Sequence, residues 1–288
     1  MTALEVLAPG MLALVQDLGR PGWAHVGVGR SGAADGGALR LANRLVANPE
    51  SAAGIEVLLG GLRLRARGPV TVALAGAEGP AELDGRPIGR DAVIEVPDGG
   101  ELVVGNATRG LRTYVAVRGG VALPAALGSR SADRLAGLGP APLAAGDVIP
   151  VGPAPDELPM VDLAPVPPWP DEVVVPVLPG PHADWFADGL AVLTARGGYQ
   201  TTPASDRVAL RLDGPVVERR PDALGRGLPP IGLVPGAVQI PPNGLPVVFG
   251  ADHPVTGGYP VLAVVRSSAL GSLAQIRPGD PLRFVASR

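Results

Sequence analysis

The chain has 288 residues with 42 glycines, 34 prolines, no cysteine and a formal net charge of −3 at pH 7. The lack of cysteine excludes disulfides and thiolate chemistry, and the acidic balance argues against a nucleic-acid partner. Three widely separated histidines, His25, His182 and His253, give no basis for a metal site.

Short apolar runs bounded by Gly, Pro, Asp or Asn predict strands along the whole chain. In chain order the clearest runs are residues 62–67, 70–75, 92–96, 101–104, 112–117, 173–178, 207–212, 246–249 and 260–265. A tight turn is predicted at Asp84-Gly85. This spacing is typical of β-barrels and β-sandwiches, so we expect a mainly β protein.

Helical patterns are few. Residues 34–45, ADGGALRLANRL, predict a helix with Asp35 as its N-cap. Residues 182–190 and 267–273 predict two shorter helices.

A proline-rich stretch around residues 153–170 has the composition of a linker. We therefore expect an N-terminal β domain over residues 1–155, a linker over 156–167, and a C-terminal barrel domain over 168–288. Similar endings, LAAGDVIPV and IRPGDPLRF, are compatible with two related barrel-like units. Because no apolar run reaches membrane-spanning length and the N-terminus does not resemble a signal peptide, we expect a cytoplasmic protein without a membrane partner.

Two glycine-rich segments carry charged residues that are candidates for anion binding. In residues 15–45 a glycine-rich backbone leads into a helix and can present N–H groups to an anion. The polar candidates there are Arg20, Arg30, Ser31 and Asp35. The alternative is that the glycines only make turns and Asp35 only caps the helix. In residues 128–140 the candidates lie on one predicted loop with two Ser, two Arg and one Asp, and they are Arg130, Ser131, Asp133 and Arg134. They suit a carboxylate or phosphate, or else form a solvated loop with internal Arg–Asp pairs.

A third polar segment, residues 234–265, brackets two predicted strands. Its candidates are Gln239, Asn243, Asp252, His253, Thr256 and Tyr259. Neutral donors and acceptors of this kind suit an amide or urea-like group. The alternative assigns Asn243-Gly244 to a hairpin turn and residues 256–258 to a turn or bulge.

Several long motifs resemble one protein family, in order and over nearly the whole chain. They include QDLGRPGWAHVGVGRSGAAD, GLRTYVAVRGGVALPAALGSRSADRLAGLGP, PGPHADWF and VPGAVQIPPNGLPVVFGADHPVTGGYP. On these motifs the chain is identified as a member of the family of 5-oxoprolinase C subunits, also called allophanate hydrolase subunit 2 or biotin-dependent carboxyltransferase-like proteins.

The resemblance implies a mostly β fold with cyclophilin-like barrel architecture. It implies the C subunit of an ATP-dependent 5-oxoprolinase, which acts with a sister B subunit to activate 5-oxoproline for hydrolysis to glutamate by an A subunit. ATP, with Mg²⁺, is expected to be shared with the partner, since a chain without lysine has no Walker lysine. We expect the isolated chain to be inactive.

The resemblance and the residue chemistry together suggest roles within one cleft. Arg20, Ser31 and Asp35 would line one wall, while Arg130, Ser131 and Asp133 would contact an anion or phosphate. Gln239, Asn243, Thr256 and Tyr259 would face the amide. Asp252 is the candidate general base, because a carboxylate near a lactam can accept a proton.

Two alternatives remain open at this point. One is a carboxyltransferase component that uses carboxybiotin with urea or another amide. The other is a non-enzymatic regulator that antagonises a sensor-kinase inhibitor.

Overall fold

A computed structural model describes residues 2–165 and 168–287. These residues divide into two compact units, of which the first contains the chain up to Arg20 together with Ser31–Trp169. The second contains Pro21–Arg30 together with the chain from Pro170 onward. The predicted boundaries differ from this division, because the first unit includes the described part of the linker predicted at 156–167. Residues 166 and 167 of that linker lie outside the described ranges.

Two antiparallel sheets form the first unit. Its strands are β1 (Ala3–Pro9), β2 (Leu12–Gln16), β3 (Gly54–Leu58), β4 (Leu62–Arg67), β5 (Val70–Glu78), β6 (Ala81–Leu83), β7 (Arg86–Pro87), β8 (Val93–Val96), β9 (Glu101–Val104), β10 (Arg109–Val117) and β11 (Val148–Pro150). The strand order is β11-β1-β4-β9-β6-β7 in one sheet and β2-β3-β10-β5-β8 in the other. Apolar and charged residues alternate along β4, as a half-buried strand requires, and the apolar faces of both sheets share one core.

Helix α1 (Gly36–Leu45) covers the opposite face of the second sheet. Its buried Leu39 and Leu45 pack with Ala75 of β5 and Tyr114 of β10. The residues that alternate with Ala75 and Tyr114 along these two strands face the core between the sheets. The side chain of Asp35 accepts a hydrogen bond from the backbone N–H of Ala38 at 3.0 Å. The predicted helix and its N-cap are therefore confirmed.

A closed barrel forms the second unit. Its elements are β12 (Val173–Pro179), α2 (Gly189–Leu193), β13 (Tyr199–Thr201), β14 (Ala209–Asp213), β15 (Ile231–Gly232), β16 (Ala237–Gln239), β17 (Val247–Phe249), β18 (Thr256–Gly257), β19 (Val261–Val265), α3 (Leu270–Ala274) and β20 (Pro281–Ala286). The order around the barrel is β12-β19-β16-β17-β14-β13-β20, with β12 and β20 paired in parallel. The mainly β fold with a barrel and few short helices is confirmed, although the first unit is built from two separate sheets.

A second layer covers part of the outside of the barrel. Strands β15 and β18 pair with each other, and the adjoining Leu233 packs on Ala237 and Phe249. Because Val238 and Val248, which alternate with these residues, point into the barrel core, this second cluster lies on the outer face. Among the described residues no helix is long and apolar enough to cross a membrane.

Candidate functional site

The buried carboxylate of Asp17 organises a loop of the first unit. Its Oδ1 accepts hydrogen bonds from the Oγ of Ser129 at 2.6 Å, the Oγ of Ser131 at 2.5 Å and the backbone N–H of Gly19 at 2.8 Å. Its Oδ2 accepts from the backbone N–H of Arg130 at 2.6 Å. Since hydrogen bonds to an ionised group are the strong ones, Asp17 ties the loop at 126–134 firmly to the end of β2.

Arg20 is fully buried in the same place. Its Nη2 donates to the backbone carbonyl of Ser131, and its Nη1 lies 3.6 Å from Oδ2 of Asp133. The predicted residues Arg20, Ser131 and Asp133 are thus brought together with two that were not predicted, Asp17 and Ser129. We refer to these five residues as the Asp17 cluster.

Ser31 and Arg130, two further candidates of the first unit, form hydrogen bonds to backbone carbonyls in or near this loop. The Oγ of Ser31, a residue with φ of 52°, donates to the carbonyl of Ala132 at 3.5 Å. The Nε of Arg130 donates to the carbonyl of Leu123 at 2.6 Å. This geometry favours a loop held by internal pairs over a loop that presents open charges.

The start of α1 is also enclosed by side chains of the chain itself. The backbone N–H of Ala34 donates to Oε2 of Glu56 at 2.9 Å, and that of Asp35 donates to the hydroxyl of Tyr114 at 2.7 Å. The Tyr114 hydroxyl donates to Glu56 Oε2 at 2.8 Å. Burial, followed by the charges of Glu56 and Asp35, raises the pKa of Tyr114 well above its usual range.

These contacts correct the expected role of Asp35. The N–H groups of Ala34, Asp35 and Ala38 already have acceptors, and two of those acceptors are carboxylates. The two carboxylates beside this helix end disfavour a nucleotide phosphate there. The structure therefore supports the alternative in which Asp35 caps the helix.

Three candidates of the second unit lie on the outer face of the barrel. The Nε2 of Gln239 donates to the backbone carbonyl of Tyr259 at 3.0 Å. A Cβ on Gly257 would lie 2.7 Å from the same Nε2, so β18 approaches Gln239 closely because residue 257 is glycine. Thr256 and Tyr259, which flank this contact, are exposed. In the outer-face set of Gln239, Thr256 and Tyr259, the two hydroxyl-bearing residues are therefore exposed, whereas Gln239 is buried.

Asp252 forms a buried ion pair with Arg207. The Nε of Arg207 donates to Oδ2 at 2.8 Å and its Nη2 donates to Oδ1 at 3.0 Å, a bidentate arrangement. The neighbouring His253 contacts the carbonyl of Pro254 through Nδ1 at 2.8 Å. Both oxygens of the predicted general base are thus engaged by an arginine.

Asn243 lies in the hairpin between β16 and β17. Its Oδ1 accepts from the backbone N–H of Leu245 at 3.2 Å, and Gly244 has a φ of 75°, as a turn at this position requires. The turn assigned to Asn243-Gly244 is confirmed. Both residues also line a cavity of about 560 Å³ within the second unit.

Sequence reasoning missed several buried polar residues, namely Asp17, Glu56, Tyr114, Ser129 and Arg207. A carboxylate between the end of a predicted strand and a glycine was an available signal for Asp17. For Glu56, Tyr114 and Arg207 no local signal exists, since their partners are distant in sequence. Among the described residues no group of three or more His, Asp or Glu side chains is arranged to hold a metal ion.

Comparison with known proteins identifies the family that shares this architecture. The family model described as "Carboxyltransferase domain, subdomain A and B" matches residues 26–286. The chain belongs to this family. The resemblance inferred from the motifs is thereby confirmed.

This carboxyltransferase-family chain is similar to proteins of two kinds. It is 34% identical to the C subunit of 5-oxoprolinase from Escherichia coli (strain K12), over 98% of the chain and 90% of that relative. The crystal structure of TTHA0988 matches with a TM-score of 0.89 and 35% identity, over 99% of this chain and 55% of that chain. The crystal structure of the K. lactis urea amidolyase matches with a TM-score of 0.91 and 30% identity, over 99% of this chain and 19% of that one. This chain therefore spans about half of the first solved chain and about a fifth of the second.

Proposed function

We propose that this chain is the C subunit of an ATP-dependent 5-oxoprolinase, which acts with a B subunit and an A subunit to open 5-oxoproline to glutamate. The observation that carries the proposal is the 34% identity to the E. coli C subunit over 90% of that relative. That relative is a separate subunit of similar length, whereas the matching region of urea amidolyase is a fifth of a longer chain.

The chemistry of 5-oxoproline suits the outer-face set. The substrate is a cyclic amide, and its opening cleaves the amide C–N bond as water adds hydroxyl to the carbonyl carbon and a proton to nitrogen. The exposed hydroxyls of Thr256 and Tyr259 can pair with the lactam N–H and carbonyl. The buried amide of Gln239 holds this segment through the carbonyl of Tyr259. Asn243 offers a further amide.

The remaining candidates are proposed to position the site. The loop at 126–134 is held by Arg20, Ser131 and Asp133 within the Asp17 cluster. Ser31 and Arg130 add their own hydrogen bonds to backbone carbonyls. For Asp252 we propose a positioning role with Arg207 in place of the predicted general-base role. The reason is that accepting a proton would cost one of its two charge-assisted hydrogen bonds.

ATP and Mg²⁺ are proposed to be bound mainly by the partner subunits. The carboxylates beside the start of α1 disfavour a phosphate, and the chain has no lysine. The isolated chain is therefore expected to bind no ATP and to have no turnover. Equilibrium dialysis with labelled ATP, with and without the B subunit, tests this assignment.

The function itself is tested by co-purifying this chain with the neighbouring B and A subunits. ADP and glutamate are measured after addition of ATP and 5-oxoproline. Glutamate release that requires all three subunits supports the proposal. A stable complex of this chain with the B subunit that leaves 5-oxoproline unchanged when the A subunit is present contradicts it.

A second candidate is a carboxyltransferase component that moves carboxylate from carboxybiotin to urea or another amide. The description of the matching family and the likeness to urea amidolyase favour it. The same complex, supplied with carboxybiotin and urea, would then consume carboxybiotin in a urea-dependent way.

A further inference from the structure

We propose that the cavity of the second unit binds a small cyclic carboxylic acid and that Arg219 binds its carboxylate. The inference rests on the proposed function in taking 5-oxoproline as that acid, and it places the ring in this cavity as an alternative to the outer-face set of Gln239, Thr256 and Tyr259, which does not line the cavity. In this assignment Arg219 is the residue that distinguishes a lactam with a carboxylate from an amide without one.

The cavity has the size and lining of a small-molecule site. Its volume is about 560 Å³, and ligand pockets commonly range from about 300 to 1,000 Å³. We call it the Arg219 cavity, lined by residues 216–219, 224–225 and 241–244. Val216, Leu224 and two prolines supply apolar surface suited to the methylene groups of a lactam ring. Arg219, Glu218 and Asn243 supply the polar groups.

The guanidinium group of Arg219 has no acidic partner in the described chain. No hydrogen bond or ion pair joins its guanidinium group to another described residue, and its Nε is shielded from solvent. The neighbouring Arg220 differs, because its Nε donates to Asp222 at 3.0 Å on the surface. The Nη1 and Nη2 groups, which make no hydrogen bond to a described residue, are the donors that a carboxylate bound in the cavity would reach, with the two-point geometry that arginine favours.

The arginine is held in place before any ligand arrives. Its guanidinium carbon lies 5.9 Å from the centroid of the Trp185 ring, and its backbone pairs with Phe186. The backbone N–H of Arg220 also donates to the carbonyl of Trp185 at 2.9 Å. Arg226 lies over the same ring at 4.7 Å, so two guanidinium groups lie against one indole ring. This local concentration of positive charge favours an anion.

The facing wall is fixed by the hairpin that carries Asn243. The backbone N–H of Val217 donates to the carbonyl of Gly244 at 2.9 Å. A Cβ on Gly244 would lie 2.4 Å from Cγ1 of Val216, so the two walls approach closely only because residue 244 is glycine. The Oδ1 of Asn243 caps Leu245, which leaves the amide N–H₂ of Asn243 as a donor for the lactam carbonyl.

The test is calorimetric titration of the full chain, alone and in complex with the B subunit. The probes are 5-oxoproline and 2-pyrrolidinone, which has the same ring without the carboxylate. The variants are Arg219→Gln, Arg219→Lys and the matched control Arg220→Gln.

We expect 5-oxoproline to bind at least about tenfold more weakly to Arg219→Gln, because loss of a charged partner strongly weakens a carboxylate contact. Arg219→Lys should lose less affinity for 5-oxoproline than Arg219→Gln does, and Arg220→Gln should bind it as wild type does. The affinity for 2-pyrrolidinone should be the same in wild type and in both Arg219 variants.

Unchanged 5-oxoproline affinity in folded Arg219→Gln, or no binding to the wild-type chain and its complex with the B subunit, overturns the inference. Steady-state kinetics of the assembled enzyme separate this failure from that of the proposed function. If the wild-type complex turns over 5-oxoproline and Arg219→Gln keeps the same KM, the inference alone fails. If the wild-type complex has no turnover, the proposed function fails, and the titration still decides whether Arg219 binds the carboxylate.

Discussion

Ser131 and Asp17 bind each other twice, although 114 residues separate them in sequence. The Oγ of Ser131 donates to Oδ1 of Asp17 at 2.5 Å, and the backbone N–H of Asp17 donates to the same Oγ at 3.0 Å. Because both residues are buried, neither hydrogen bond can be replaced by bulk water. This double contact holds the loop at 126–134 against the end of β2.

Asp17→Asn should therefore destabilise the protein markedly. The carboxylate accepts four hydrogen bonds, and an amide of the same size directs an N–H₂ group at some of the same donors. We expect the free energy of unfolding to fall by at least about 2 kcal/mol, as measured by urea denaturation. Asp147→Asn is the matched control, because Asp147 is exposed and accepts one turn hydrogen bond, from Ala144. A loss no larger than that of the control would contradict the role of Asp17.

Tyr114→Phe should destabilise the junction of α1 and the second sheet. The change removes one hydroxyl that donates to Glu56 and accepts from the backbone N–H of Asp35. Leaving that buried N–H without its acceptor should lower the free energy of unfolding by about 1–3 kcal/mol, measured by urea denaturation. Tyr259→Phe is the control, since Tyr259 is 46% exposed. Equal stability of the two variants would show that the Tyr114 hydroxyl contributes nothing.

Local patterns predicted local structure well. The runs at 62–67 and 101–104 coincide with β4 and β9, because alternating apolar residues and flanking glycines define a half-buried strand. The turn at Asp84-Gly85 joins β6 and β7 with φ of 51° and 74°, the two positive values of a tight hairpin turn. In each case the information lies within a few residues.

The polar contacts could not be predicted in the same way. Asp17 and Ser131 lie 114 residues apart in sequence, and Arg207 and Asp252 lie 45 residues apart, so no local pattern contains either pair. Their donors and acceptors are ordinary residue types, so the sequence pattern does not distinguish a ligand-binding arginine from one paired inside the protein. Arg20 was predicted to line a cleft and is instead 1% exposed.

Removing one member of the Arg207–Asp252 pair should cost more stability than removing both. Asp252→Leu leaves a buried guanidinium without its carboxylate, which should lower the free energy of unfolding by about 3 kcal/mol or more. The double variant Arg207→Met/Asp252→Leu removes both charges and should recover much of this loss. Chemical denaturation of the four proteins of this cycle measures the coupling. Losses that simply add would mean that the two side chains do not stabilise each other.

His182 should make stability depend on pH in the acidic range. Burial lowers the pKa of His182 from its ordinary 6.5, with Asp184 opposing, and its Nδ1 lies 3.2 Å from the backbone N–H of Val261, which donates to it. A protonated Nδ1 cannot accept that hydrogen bond, so the folded state favours the neutral ring. The unfolded state thus binds the proton more readily. The stabilisation is complete above the unfolded pKa and is lost as pH falls through the lower folded pKa.

His182→Asn, whose side-chain oxygen can still accept from Val261, tests this dependence. Urea denaturation is followed for both proteins from about pH 8 down to about pH 5. The stability of wild type relative to the variant should be constant above the ordinary histidine pKa and should decline below it. Parallel profiles over the whole range would show that protonation of His182 is not linked to folding, and that the Val261 contact does not depend on a neutral ring.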